Sequence, residues 1–144
     1  MEKTVKSMNE LLCDLNVLFR KLQNYHWNIT GKDFFTIHEK LEDYYNCVLE
    51  EIDEVAEQIL TLGAEPLGTL KDYLENTQIS EASNAKVTIE SILPILIKDF
   101  EILLDKFTCI KEHAENEKVY ITSTLMDEYI SNYSKKLWML KQLS

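Results

Sequence analysis

Ala64-Glu65-Pro66-Leu67-Gly68-Thr69-Leu70-Lys71-Asp72-Tyr73-Leu74-Glu75-Asn76-Thr77-Gln78-Ile79-Ser80 separates two halves of a chain that is otherwise patterned as helix, and its reading decides the fold. Antiparallel neighbours in a helical bundle need a link of only about 2–8 residues. This link is longer, carries Pro66 and Gly68, and has the reach to cross a bundle from end to end. Thr69-Leu70-Lys71-Asp72 opens one short helix inside it, and Ser80 caps the helix that follows.

Upstream, Asp33 caps a helix whose apolar stripe of Ile37, Leu41, Tyr44, Val48, Ile52, Val55 and Ile59 advances by three and four up to Gly63. Before it, Ser7-Met8-Asn9-Glu10 has the form of a capping box. Leu11, Leu12, Leu15, Leu18, Phe19, Leu22 and Tyr25 continue that helix to about Ile29, with Gly31 as its stop and residues 1–6 as a tail. Downstream, a helix over about 81–115 carries Leu96, Phe100, Leu103, Leu104 and Phe107, and Pro94 should kink it or break it near Leu93. The polar run from Glu112 to Lys118 turns the chain into a last helix over 122–143, with Leu125, Met126, Ile130, Tyr133, Leu137 and Leu140 facing inward. Four long helices with one long connection after the second predict an all-α four-helix bundle with a crossover. A simple up-and-down bundle is the alternative.

At 144 residues the chain has the size of a single domain, 1–144, and its 3 Gly and 2 Pro leave little room for turns. Fifteen basic against 25 acidic residues give a net charge of -10, which disfavours nucleic acid as an obligate partner and favours cations. No stretch has the apolar core of a signal peptide or the roughly 18 apolar residues of a membrane span, so a cytoplasmic location is expected. Cys13, Cys47 and Cys109 are odd in number and set among apolar helical residues, so they read as small buried side chains rather than a disulfide framework.

The chemistry concentrates around His26 and His38, twelve residues apart, followed by Glu42 and by Asp53-x-x-x-Glu57 on the same predicted helix. Imidazole with carboxylate, and no cysteine at matching spacing, suits iron or manganese more than structural zinc. Each residue also has a plain explanation. His26 extends a core stripe, His38 and Glu42 are a surface pair four apart, and Asp53 and Glu57 share a solvated acidic face with Glu50, Glu51 and Glu54. Geometry shifts the balance. Glu42 and Asp53 are eleven residues apart, which places them on nearly one face but about 16 Å apart along the axis. One helix cannot close them around one ion, whereas two copies running antiparallel across a two-fold axis can. The usual di-iron bundle takes Glu-x-x-His pairs from two helices of one chain, and no Glu-x-x-His occurs here.

Tyr25-His26-Trp27-Asn28-Ile29-Thr30-Gly31, Phe34-Phe35-Thr36-Ile37-His38-Glu39-Lys40, Asp53-Glu54-Val55-Ala56-Glu57, Gly63-Ala64-Glu65-Pro66 and Trp138-Met139-Leu140 together resemble the Dps family of mini-ferritins over essentially the whole chain. The resemblance implies a ferritin-like bundle assembled as a hollow homododecamer. Such a shell binds Fe(II) at two-fold interfaces, oxidises it, preferably with hydrogen peroxide, and stores the ferric product inside. It implies iron ligands at His26, His38 and Glu42 of one subunit and at Asp53 and Glu57 of the next, with Glu42 standing where the family commonly has Asp. Trp27 is then placed near the iron as a trap for oxidising equivalents, or packs at the dimer interface.

Family members also admit iron through acidic three-fold pores, whose positions fall on Val119, Thr124 and Glu128, with Asp127 beside them. Asp127 and Glu128 equally suit the first turn of a helix. DNA binding in the family depends on a lysine-rich tail. Only Lys3 and Lys6, offset by Glu2, precede Ser7, so no direct DNA binding is expected. The competing readings are a helical scaffold or antigen of the same fold with little ferroxidase activity, and a DNA-binding Dps.

Overall fold

A computed structural model describes all 144 residues and contains five helices: α1 (Glu2–Asn28), α2 (Phe34–Thr61), α3 (Leu70–Asn76), α4 (Ile89–Glu117) and α5 (Tyr120–Lys141). Two tight turns pair α1 with α2 and α4 with α5. The relation between the pairs follows from two contacts. Val87, just before α4, exchanges backbone bonds with Asn28 and Thr30 at the end of α1, while Glu117 at the end of α4 meets Thr4 at the start of α1. α1 and α4 are therefore antiparallel, and α2 and α4 run the same way, which only a crossover allows. No helix is long and apolar enough to cross a membrane.

The helix starts differ from the sequence reading in instructive ways. α1 begins at Glu2, so residues 2–6 are helix rather than tail. Its first amides are satisfied from elsewhere: the Glu117 carboxylate accepts from Thr4 N at 2.8 Å, Lys3 N at 3.1 Å and Thr4 Oγ1 at 2.6 Å. Ser7 is no cap, and its hydroxyl donates back to the carbonyls of Lys3 and Thr4. Asp33 precedes α2 in a left-handed conformation (φ 63°) without a side-chain capping bond.

Thr69 does cap α3, through Asp72 N at 3.1 Å. Ser80 does not start α4; the chain stays irregular until Thr88, which forms a reciprocal capping box with Ser91. That late start explains Pro94, which lies exposed in the second turn of an unbroken helix and forfeits a single amide bond. The crossover is held to α1 by Asn9, bonded to Glu65 O and Leu67 N, and by the buried Asp14 carboxylate, which accepts from Thr77 Oγ1 and Gln78 N.

The core is centred on Phe100, Phe107 and Tyr133, whose rings meet edge to face at 5.4 and 4.9 Å, with Tyr44 against Phe100 at 5.3 Å. Each fully buried aromatic contributes about 2–3 kcal/mol of apolar burial. Ile95, although apolar, is exposed, whereas its neighbours Leu93 and Leu96 are buried. One ion pair is sealed in the bundle: Lys21 Nζ of α1 lies 2.7 Å from Asp99 Oδ2 of α4, both almost fully buried.

Candidate metal centre

His26 lies in the last turn of α1 and His38 in the second turn of α2, and the short turn between the helices, with Gly31 at φ 97°, folds them together. Their rings stack at 3.7 Å and 13°. Each ring also bonds the other residue's backbone, His26 Nδ1 to His38 O and His38 Nδ1 to His26 O, both at 2.7 Å. A carbonyl oxygen only accepts, so both Nδ1 atoms carry the proton and donate. In neutral rings both Nε2 atoms then keep a free lone pair, the tautomer a metal requires. Phe34 stacks on His38 at 4.9 Å and Tyr45 meets His26 edge-on at 5.3 Å, which fixes the ring planes from outside.

Glu42, one turn beyond His38, sends Oε1 to 3.6 Å from His26 Nε2. With the proton on Nδ1 this is a gap between two lone-pair donors and not a hydrogen bond. It is the width a divalent first-row ion spans with bonds of about 2.0–2.2 Å. Glu42 thus pairs with His26 rather than with His38, as spacing alone suggested. Even so, no group of three or more His, Cys, Asp or Glu residues lies close enough within one chain to hold a metal. Asp53 and Glu57 are exposed further along α2, about 16 Å beyond Glu42 for an eleven-residue separation. The chain brings His26, His38 and Glu42 together and leaves Asp53 and Glu57 apart, so the candidate ligands fall into two separate groups. Trp27, next to the buried His26, is 58% exposed, with the Arg20 guanidinium 5.8 Å from its ring.

Three comparisons bear on this arrangement. A family model described as "Ferritin-like domain" matches residues 5–144. DNA protection during starvation protein 2 of Bacillus anthracis is 37% identical over 140 residues, spanning 97% of this chain and 95% of that protein. The chain belongs to the Dps family of ferritin-like proteins. The Dps crystal structure from Vibrio cholerae, described as a member of a broad superfamily of ferritin-like diiron-carboxylate proteins, superposes with a TM-score of 0.94 at 37% identity, over 99% of this chain and 89% of that one. An antigen of Treponema pallidum is 35% identical over 135 residues, 94% of this chain and 76% of that protein.

Three groups differ from the sequence reading. Glu51 does not belong to a solvated acidic face. It is buried and accepts from Tyr133 Oη at 2.6 Å, and burial pushes its carboxyl up to about 7. Glu54 accepts from Tyr129 Oη at 2.5 Å. Spacing gave no hint of these bonds, because the tyrosines come from α5. At the start of α5, Thr124 and Glu128 are exposed but Val119 is buried, and Asp127 is paired with Lys111 Nζ at 2.9 Å. Of the cysteines, Cys13 is buried, Cys47 half-buried and Cys109 exposed, so the buried reading fails for Cys109, which lies on the outer face of α4 opposite the buried Phe107 and Ile110. Phe34 and Tyr45, the ring clamps of the two histidines, went unnoticed in the sequence, although Phe34 sits four residues before His38.

Proposed function

We propose that this Dps chain is an iron-storage and detoxification protein, a ferroxidase that oxidises Fe(II), preferably with hydrogen peroxide, at sites shared between two subunits of a dodecameric shell. The observation that carries the reading is the reciprocal His26–His38 pair. It presents two lone pairs beside Glu42 while the remaining carboxylates, Asp53 and Glu57, lie out of reach on the same helix. On a two-fold axis, α2 of one copy running antiparallel to α2 of the next brings the early residues of each beside the late residues of the other.

The donor set supports oxidation. Carboxylates favour Fe(III) over Fe(II), and neutral imidazole offers Fe(II) a borderline ligand. Two Fe(II) ions each give one electron to one peroxide, its O–O bond breaks, and with two protons two waters form. Paired oxidation in this way leaves no hydroxyl radical, which a single electron transfer would release. Trp27, exposed and next to His26 in the chain, would intercept a stray oxidising equivalent. Glu42 has one more methylene than the aspartate expected there, and reaches His26 from α2 all the same.

Protection of DNA then arises chemically, not by contact. Each chain carries -10, Lys3 and Lys6 lie in the first turns of α1 rather than on a free tail, and phosphate binding rests on clustered cations. The test is iron loading followed by size measurement. A dodecamer that gains a ferric core, consumes about one peroxide per two Fe(II), and loses its fast phase at least ~10-fold in the His26→Ala, His38→Ala double variant supports the reading. Wild-type rates in that variant refute the site, and a duplex-DNA gel shift at about 150 mM salt refutes the chemical account of protection.

A further inference from the structure

Away from the His26–His38 centre, α4 carries a second pair of metal-binding atoms. Cys109 is the one exposed cysteine of the three, and its Sγ lies 3.5 Å from Nε2 of His113, one turn further along the helix. The two residues are four apart and project over the same patch of α4. Zn–S bonds of about 2.3 Å and Zn–N bonds of about 2.0–2.1 Å, set at the tetrahedral angle, place sulfur and nitrogen about 3.5 Å apart. The free protein already holds its two donors at that separation.

We infer that Cys109 and His113 form a surface site for a thiophilic divalent cation of the Zn(II) class, separate in position and in ligand chemistry from the centre proposed for iron. His26, His38, Glu42, Asp53 and Glu57 offer only nitrogen and oxygen, which suit iron. A sulfur–nitrogen pair favours zinc-like ions instead. Binding replaces the thiol proton: the S–H bond breaks, the proton leaves to solvent, and sulfur and the Nε2 lone pair bond the metal, so affinity rises with pH. Water fills the remaining positions. The other thiols do not compete on equal terms. Cys13 is buried and burial pushes its thiol up to about 11, while Cys47 is half-buried, with burial and the neighbouring Glu51 raising its thiol too.

Co(II) alone, added to the assembled wild-type protein, is the probe, because a thiolate ligand gives cobalt an intense near-ultraviolet charge-transfer band that nitrogen and oxygen ligands do not. The expected result is a band saturating at about one Co(II) per chain, bleached by Zn(II), retained in Cys47→Ser and absent in Cys109→Ser, with half-saturation at least ~10-fold weaker in His113→Ala. No band in the wild type, or a band that survives Cys109→Ser, overturns the assignment. Alkylation read by mass spectrometry needs no variant: Zn(II) should slow iodoacetamide labelling of wild-type Cys109 at least ~5-fold, in line with a thiolate held by metal. Labelling unchanged by Zn(II) overturns the site and leaves the pair a hydrogen bond only.

Discussion

A site split between copies makes a quantitative prediction about mixed assemblies. The two halves of the proposed centre sit on one helix about 16 Å apart, so one variant can lose the histidine half and another the carboxylate half without touching the same atoms. Let the first carry His26→Ala with His38→Ala, and the second Asp53→Ala with Glu57→Ala. Each alone has no complete site. Across an isologous two-fold interface between one of each, one of the two sites receives both damaged halves and the other receives both intact halves.

Random assembly of equal amounts makes about half of the interfaces mixed, and half of the sites at a mixed interface are whole, so about a quarter of wild-type sites return. The assay is co-expression with two different tags, purification through both, and stopped-flow oxidation of Fe(II) with peroxide. The amplitude of the fast phase should recover to about a quarter of wild type while each parent shows almost none. A doubly tagged shell as inactive as its parents would falsify the shared site, since subunits had mixed and no site was completed. The result does not depend on which metal the cell supplies, because it counts complete ligand sets.

Three further predictions concern the scaffold, each compared at one protein concentration because assembly and folding are linked. Lys21→Met leaves Asp99 buried without its cation and should cost about 3–5 kcal/mol in urea denaturation, while Lys21→Met with Asp99→Leu should recover most of that loss; a neutral single variant would contradict the sealed pair. Glu51, held up to about 7 mainly by burial, is favoured as the acid in the folded state, so its contribution is full below about pH 4.5 and is lost as pH rises through 7. Metal-free wild type should lose about 3 kcal/mol between pH 5 and 8, and Glu51→Gln should flatten that slope, with Tyr133, Cys47, Lys136 and Glu54 the groups that face it; equal slopes refute the assignment. Glu117, lowered to about 2 chiefly by its bond from the Thr4 hydroxyl, stabilises the start of α1 above about pH 4.5 and loses that effect as pH falls toward 2, so Glu117→Ala should speed amide exchange at Lys3 and Thr4 and leave the rest of α1 protected.

The architecture was legible because it depends on periodicity and on one length. The stripe from Ile37 to Ile59 and the extent of the crossover are properties of neighbouring residues, and buried stripes leave few ways to assemble four helices. What sequence could not give is whatever a distant residue supplies. Ser7 and Ser80 have the composition of caps, yet the groups that start those helices are Glu117, more than a hundred residues away, and a Thr88–Ser91 box with serine where glutamate or glutamine is the familiar signal. Asp14 looks like one more helix charge until Thr77 and Gln78 arrive from the crossover to bond it.

The candidate centre divides along the same line. Helical rise alone separates Glu42 from Asp53 on one helix, whereas the grouping of His26 and His38 with Glu42, and of Asp53 with Glu57, is what the family resemblance implies. Spacing said nothing of tautomer, and tautomer is what leaves each ring a nitrogen lone pair to offer. Two Nδ1–H groups committed to two backbone carbonyls leave Nε2 as the one nitrogen of each ring able to bind, before any metal arrives. Those carbonyls are main-chain atoms that alanine keeps, so losing one ring removes the 3.7 Å stack but leaves the other ring its Nδ1–H bond and its tautomer. His26→Ala and His38→Ala should therefore each leave one oriented nitrogen donor and a partial loss of the fast phase, with the double variant clearly worse than either; a single variant as defective as the double would mean that the stack, not the backbone bonds, orients the rings.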